Sequence, residues 1–264
     1  MKKITYKVIS NDGIVSRKEK ELRYLLNYGI ANLLNRAVLN DYYLPVHHCD
    51  PKVYPDYIVL NTEKAKYHLT PATALSFYSY DCTFDKIDGL YNAIYYRNKR
   101  LLKMYKKLYA GIKFVIGPDY SLFDDIWPYE NESRLLKIRV IMLWFVIEIG
   151  AIVIPNAIYV SPDKLPQYLS GFENCTVMCF STKGQIRYAS NRTRVKETVK
   201  YVVDHFPLKV ILVYSTCEND KTSLKLFEYA TINGIEVRIV ENTLRKRNQS
   251  RTKKGAENEQ RIND

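Results

Sequence analysis

The sequence predicts an α/β fold: a mostly parallel sheet curled into a partial or irregular (β/α) barrel, with an N-terminal helical arm and a basic C-terminal tail. Two observations carry this expectation. From Lys113 onward, short apolar runs alternate with segments of helical period, the pattern of βαβ units on a parallel sheet. Several runs are also apolar throughout, as strands buried on both faces are. With two earlier runs the total is about seven strands, which suits a barrel; an open doubly wound sheet is the alternative.

Taken in order, Ile4 to Ile9 reads as a short strand closed by a turn at Asn11-Asp12-Gly13. Ser16 and Glu19 have capping-box spacing for a helix from Arg17 to about Leu39. His47-His48-Cys49-Asp50 reads as a loop, because its ligand-type residues have no second pair at zinc-like spacing. Residues 1–50 are therefore expected to form the arm. The β-rich runs 57–61 and 75–80 end near Asn61 and Asp81. Further strands are expected at 113–117, 151–159, 175–181, 209–215 and 235–241, with helices at about 132–149, 162–170, 191–206 and 221–233. Pro162 suits a first helical turn, and Gly150 and Gly234 stand where helices end. Cys175 and Cys179, four apart, share a strand face and are expected to be buried. The main domain spans 51–243. Residues 244–264 carry little apolar content and read as a disordered tail.

The chain has 264 residues with a formal charge of +12. That excess points to an anionic partner, DNA or RNA first. Its sharpest expression is a helix over 91–109, where Lys99, Arg100, Lys103, Lys106 and Lys107 fall within an arc of about 120°. Such a ribbon suits phosphates in a salt-dependent manner, and Tyr91, Tyr95, Tyr96 and Tyr109 could stack on bases. Arg245, Lys246, Arg247, Arg251, Lys253 and Lys254 would add backbone affinity from the tail. The plainer reading is a solvated helix face with its tyrosines in the core. Nucleic-acid binding is thus the first functional expectation; a non-catalytic protein that binds a host factor is an alternative.

A second alternative is an enzyme. The run Lys113–Ile116 stops at Gly117-Pro118 and delivers Asp119, followed by Asp124 and Asp125. Asp81 and Asp85 follow another run. Strand-end carboxylates lie where α/β proteins place their sites, so Asp119, Asp81 and Asp124 are the catalytic candidates. They would hold Mg²⁺ for phosphodiester hydrolysis or share acid–base duty. Aspartates after strands also serve as turn formers and caps, Asp124 and Asp125 for the helix near Glu130. No Walker A loop, GxGxxG, GxSxG, HExxH or CxxC motif occurs, and no metal site is assigned. Five cysteines, an odd count, argue against a disulfide framework. No apolar stretch follows Met1-Lys2-Lys3, and Val140–Pro155, broken by Glu148 and Gly150, is too short to span a bilayer. A cytoplasmic location in a bacterial host cell, without membrane contact, is expected.

Three blocks carry a family resemblance: Phe77-Tyr78-Ser79-Tyr80-Asp81 with Phe84-Asp85, then Gly117-Pro118-Asp119-Tyr120-Ser121-Leu122-Phe123, then Ile149-Gly150 and Val153-Ile154-Pro155-Asn156. Their order over about residues 50–242 resembles an uncharacterised family of bacteriophages, plasmids and Firmicutes genomes with a Pro-Asp-Phe-Ser-like strand-end motif. Here Tyr120 replaces the usual Phe, and Ser133-Arg134-Leu135-Leu136-Lys137-Ile138-Arg139 replaces a polar Asn-x-x-Arg-like stretch. The resemblance implies a mobile-element origin and lends no activity.

Overall fold

The computed structural model describes residues 8–10, 13–15 and 30–251. Most of the helix expected over 17–39, and Lys253 and Lys254, lie outside them. A two-stranded antiparallel ribbon, β1 (Val8–Ser10) and β2 (Gly13–Val15), precedes the main body.

Seven strands form one parallel sheet: β4 (Tyr57–Leu60), β5 (Thr73–Ser76), β6 (Phe114–Ile116), β7 (Ile152–Ile154), β9 (Val177–Ser181), β10 (Val210–Tyr214) and β11 (Glu236–Asn242). Each pairs with the next in chain order except across β7 and β9, and β11 returns to pair with β4. The seventh seam closes through a single bridge, Asn156 to Cys179. Two hydrogen bonds hold it: Ala157 N to Cys179 O and Cys179 N to Pro155 O, both 2.8 Å. The architecture is a nearly closed barrel, as the strand–helix alternation predicts. Strands β5, β6, β9 and β10 are buried along their whole length, because helices cover the outside while facing strands fill the inside. In β11 the exposed Glu236 and Arg238 pair with each other at the surface.

The open end of the seventh seam is filled by residues expected to be a simple loop. β3 (His48–Cys49) pairs in parallel with β8 (Asn174–Cys175). The ring nitrogen Nε2 of His47 lies 2.5 Å from Val153 O on β7, and His47 N donates to Gly171 O. Burial holds the His47 imidazole down at about 4, so it is neutral at ordinary pH. Cys49, Cys175 and Cys179 are buried and free.

Helices α1 (Ala31–Leu34), α2 (Asp81–Phe84), α3 (Leu90–Tyr95), α4 (Lys99–Leu108), α5 (Pro128–Trp144), α6 (Leu165–Leu169), α7 (Ala189–His205), α8 (Asp220–Leu224) and α9 (Glu228–Ile232) accompany the strands. α5 starts on Pro128, runs into a π turn (Phe145–Ile149) and stops at Gly150, whose φ of +73° is the left-handed conformation that ends helices. Neither Asp124 nor Asp125 caps it, since Trp127 occupies the cap position.

Two further expectations need correction. The basic segment 91–109 is two helices: Arg97 adopts φ +49°, and the Asn98 side chain accepts from Leu101 N to start α4 anew. The segment 243–251 is helical, where a disordered tail was expected from 244. Arg245 within it is buried, because its guanidinium meets Asp220 at 2.7 Å and also the Glu241 carboxylate.

Candidate active site at the carboxyl mouth of the barrel

Polar residues follow several of the barrel strands, and those after β5, β6, β7 and β9 come together. Asp119 follows β6 through Gly117-Pro118; Asn156 follows β7; Lys183 follows β9; Tyr78 and Asp81 follow β5. A cavity of about 210 Å³ opens among Asp119, Tyr120, Asn156, Tyr159, Ser181 and Lys183.

Asp119 is the centre. Its Oδ1 accepts from Asn156 Nδ2 at 2.8 Å. Asn156 is itself fixed, because its Oδ1 accepts from the Tyr78 hydroxyl at 2.7 Å. That hydroxyl lies 3.1 Å from Cys179 Sγ inside the barrel, and the Tyr78 ring packs tilted against Tyr214, centroids 4.8 Å apart. Tyr78, Asn156 and Asp119 thus form a chain from the barrel interior to the cavity. Asp119 retains some solvent contact through the cavity and is otherwise walled by protein. Burial pushes its carboxyl up to about 7; the Asn156 bond and the Lys183 charge oppose that rise, and the Asp81 charge adds to it.

Lys183 lines the same cavity and donates to Tyr78 O at 2.7 Å. Burial holds its ammonium below the usual lysine range, and Asp119 pulls it back up. Carboxyl and amine therefore face one enclosed space with affinities drawn toward neutrality, as groups that exchange protons with a substrate require.

Asp81 sits at the start of α2 and reaches the loop carrying Asp119. Its carboxylate accepts from Ser121 N at 3.2 Å and lies 3.7 Å from Arg134. Arg134 also donates to Ser121 O. The Asp119 loop is therefore clamped from two sides. Further along it, buried Asn131 holds Phe123 by both backbone groups. Gly117 explains the close approach of this loop: a Cβ there would meet Met142 Sδ at 3.1 Å and Asn156 N at 3.3 Å.

The structure thus brings Asp81 and Asp119 to one edge, with Asp81 holding the loop and Asp119 facing the cavity. Asp124 is elsewhere engaged, paired with Arg194 at 2.5 Å and Lys164 at 3.6 Å and accepting from Ser161 N. Among the described residues, no three His, Cys, Asp or Glu side chains gather as a metal site. Sequence reasoning missed Asn156, Lys183 and Tyr78 as site residues. All three stand two residues past a strand end, at Ser76, Ile154 and Ser181, and the runs expected over 75–80 and 151–159 overran the first two of those boundaries.

The basic helix α4 presents Lys99, Arg100, Lys103 and Lys107 to solvent. Lys106 pairs with Glu148, which also binds Arg36 at 2.7 Å. Tyr109 is buried against Tyr67 and Phe145, and Tyr91 stacks on Tyr95, so these rings serve packing. Lys246 lies over the Tyr57 ring, while Arg247 and Arg251 are exposed. No helix among the described residues is long and apolar enough to cross a membrane.

A family described as a domain of unknown function, DUF4417, matches residues 41–230. No curated protein and no solved structure matches the chain.

Proposed function

Because the chain belongs to the DUF4417 family, a domain of unknown function, we propose a reaction class from its own geometry: proton-transfer catalysis on a small polar substrate at the carboxyl mouth of the barrel. Asp119 gives and takes the proton, Asn156 orients it, and Lys183 offsets negative charge that develops on the substrate. One observation carries this reading. Asp119 stands at a strand's carboxyl end in a cavity, its carboxyl is drawn to about 7, and its oxygen takes an orienting bond from Asn156. Structural aspartates in this protein are held differently: Asp124 and Asp220 are matched by arginines.

The test is turnover of a metabolite extract followed by mass spectrometry. Compounds consumed by the wild type should persist with Asp119→Asn at matched circular dichroism. Equal consumption by both proteins would overturn the assignment.

Binding of DNA or RNA is the second reading, favoured by the four exposed cations of α4 on a chain of charge +12. A phage or mobile-element setting belongs with it. A filter-binding series across salt concentration tests it, and an affinity that does not fall with salt would rule it out.

A further inference from the structure

Beside the Asp119 cavity lies a second cleft of about 430 Å³, between α7 and α8. Three cations line it, Arg192, Lys196 and Lys225, together with the hydroxyl-bearing Thr193 and Thr222. No carboxylate lines it, and among the described residues none of the three cations has an acidic partner within ion-pair distance. Arg134, Lys137, Arg194 and Arg245, by contrast, are each matched by acids. Arg192 is half-buried and anchored through its Nη1 to Ile186 O at 2.6 Å. That anchor fixes the guanidinium while leaving further donors unused.

The backbone reinforces the charge. α7 is 17 residues long and follows β9, so its amino end faces the same mouth of the barrel as Asp119. Its first turn carries no acid and no side chain caps it, which leaves the positive end of the helix dipole uncompensated beside the cations. The two cavities share one wall: Gln185 lines the Asp119 side and Ile186 the cationic side.

Resting on the Asp119 reading, we infer that this cleft is the subsite for the anionic group of the substrate, and that the substrate is a phosphate-bearing small molecule. The phosphate binds Arg192, Lys196 and Lys225, and the reacting group extends past residues 185–186 toward Asp119. An oxyanion with several acceptors suits a cleft lined by the half-buried Arg192 and the exposed Lys196 and Lys225. The apolar floor of Ala189 and Leu226 suits a compact ligand.

The experiment is a thermal-shift and calorimetric titration of the full chain with inorganic phosphate at constant ionic strength. Phosphate should raise the melting temperature of the wild type and of Asp119→Asn alike. The double variant Lys196→Glu/Lys225→Glu should bind phosphate at least about a hundredfold more weakly, at about tenfold per charge-assisted contact. Arg192→Gln, checked by circular dichroism, gives an independent loss. An equal phosphate response in the double variant overturns the subsite, as does no response in the wild type. A response to a mixed-sequence single-stranded oligonucleotide but none to phosphate overturns the small-molecule assignment. Phosphate binding without Asp119-dependent turnover removes the catalytic reading alone; turnover without phosphate binding removes the subsite alone.

Discussion

Asn156 donates to Asp119 across the mouth of the barrel at 2.8 Å while accepting from Tyr78 on its other side. The same residue forms the bridge to Cys179 that closes the seventh seam. Site and closure meet at one residue: the backbone around Asn156 holds the seam, and its side chain aims the carboxyl.

Asn156→Ala should therefore have two separable effects. Removing the donor withdraws an interaction that lowers the Asp119 proton affinity, so Asp119 should titrate still higher. Loss of the amide also leaves the buried Tyr78 hydroxyl with only the Cys179 thiol, at a cost of about 1–3 kcal/mol. Carbon-13 titration of the Asp119 carboxyl and urea denaturation measure the two separately. An unchanged titration would show that the bond does not tune Asp119.

Asp119→Asn should change stability in a pH-dependent way. The folded carboxyl titrates near 7 against about 3.9 unfolded. Between these values the folded state binds more protons, so wild-type stability falls as pH rises from about 4 and levels off above 7. The variant lacks this loss and retains an acceptor for Asn156. The stability of Asp119→Asn relative to the wild type should thus increase across that window, by at most about 4 kcal/mol and less once solvent contact screens it. Denaturant midpoints at pH 4.5, 6 and 8 provide the check; a constant difference contradicts the raised affinity.

Gly117→Ala should impair the site more than the fold. The new Cβ presses on Met142 Sδ and the Asn156 backbone. The thioether can yield, whereas the amide belongs to the residue that aims Asp119. A stability loss of about 1–2 kcal/mol should accompany a larger fractional loss of turnover, read from melting curves beside the metabolite assay.

Arg245→Met should destabilise the fold by about 2 kcal/mol without altering nucleic-acid affinity. Its guanidinium is enclosed between Asp220 and Glu241, so it is not available to phosphates, and its removal leaves Asp220 unmatched and Glu241 with only Lys246 at 4.0 Å. Urea denaturation and filter binding read the two halves. In contrast, neutralising Lys99, Arg100, Lys103 and Lys107 together should reduce the salt slope of any DNA or RNA binding by roughly 3 to 4.

Much of the barrel was legible in the chain. Runs such as Val177–Ser181 and Val210–Tyr214 are apolar throughout because both faces are buried. Gly150 and Gly234 mark turns where only a left-handed backbone fits. Asp119 and Asp81 were legible as strand-end carboxylates, since position after a strand is local information. Asn156, Lys183 and Tyr78 were not, because an ordinary polar residue after a strand becomes part of a site only when other strands bring partners to it. The tail was misread for the same reason: Arg245 looks solvent-seeking in a basic segment, and only folding supplies Asp220 from 25 residues away. The basic segment 91–109 kept its helical period across a break that Arg97 and Asn98 make locally.

The sequence by itself determined the strand–helix alternation, the parallel sheet and the edge at which Asp119 emerges, because hydrophobic period and turn chemistry act between near neighbours. Only the tertiary structure decided that the sheet closes through Asn156 and Cys179, that His47 and β3 fill the open seam, and that Asp119 rather than Asp124 faces a cavity. Those outcomes depend on which distant charges and donors meet. The affinity of a carboxyl for its proton is set by the atoms packed around it, and around Asp119 those come from the segments that follow three other strands.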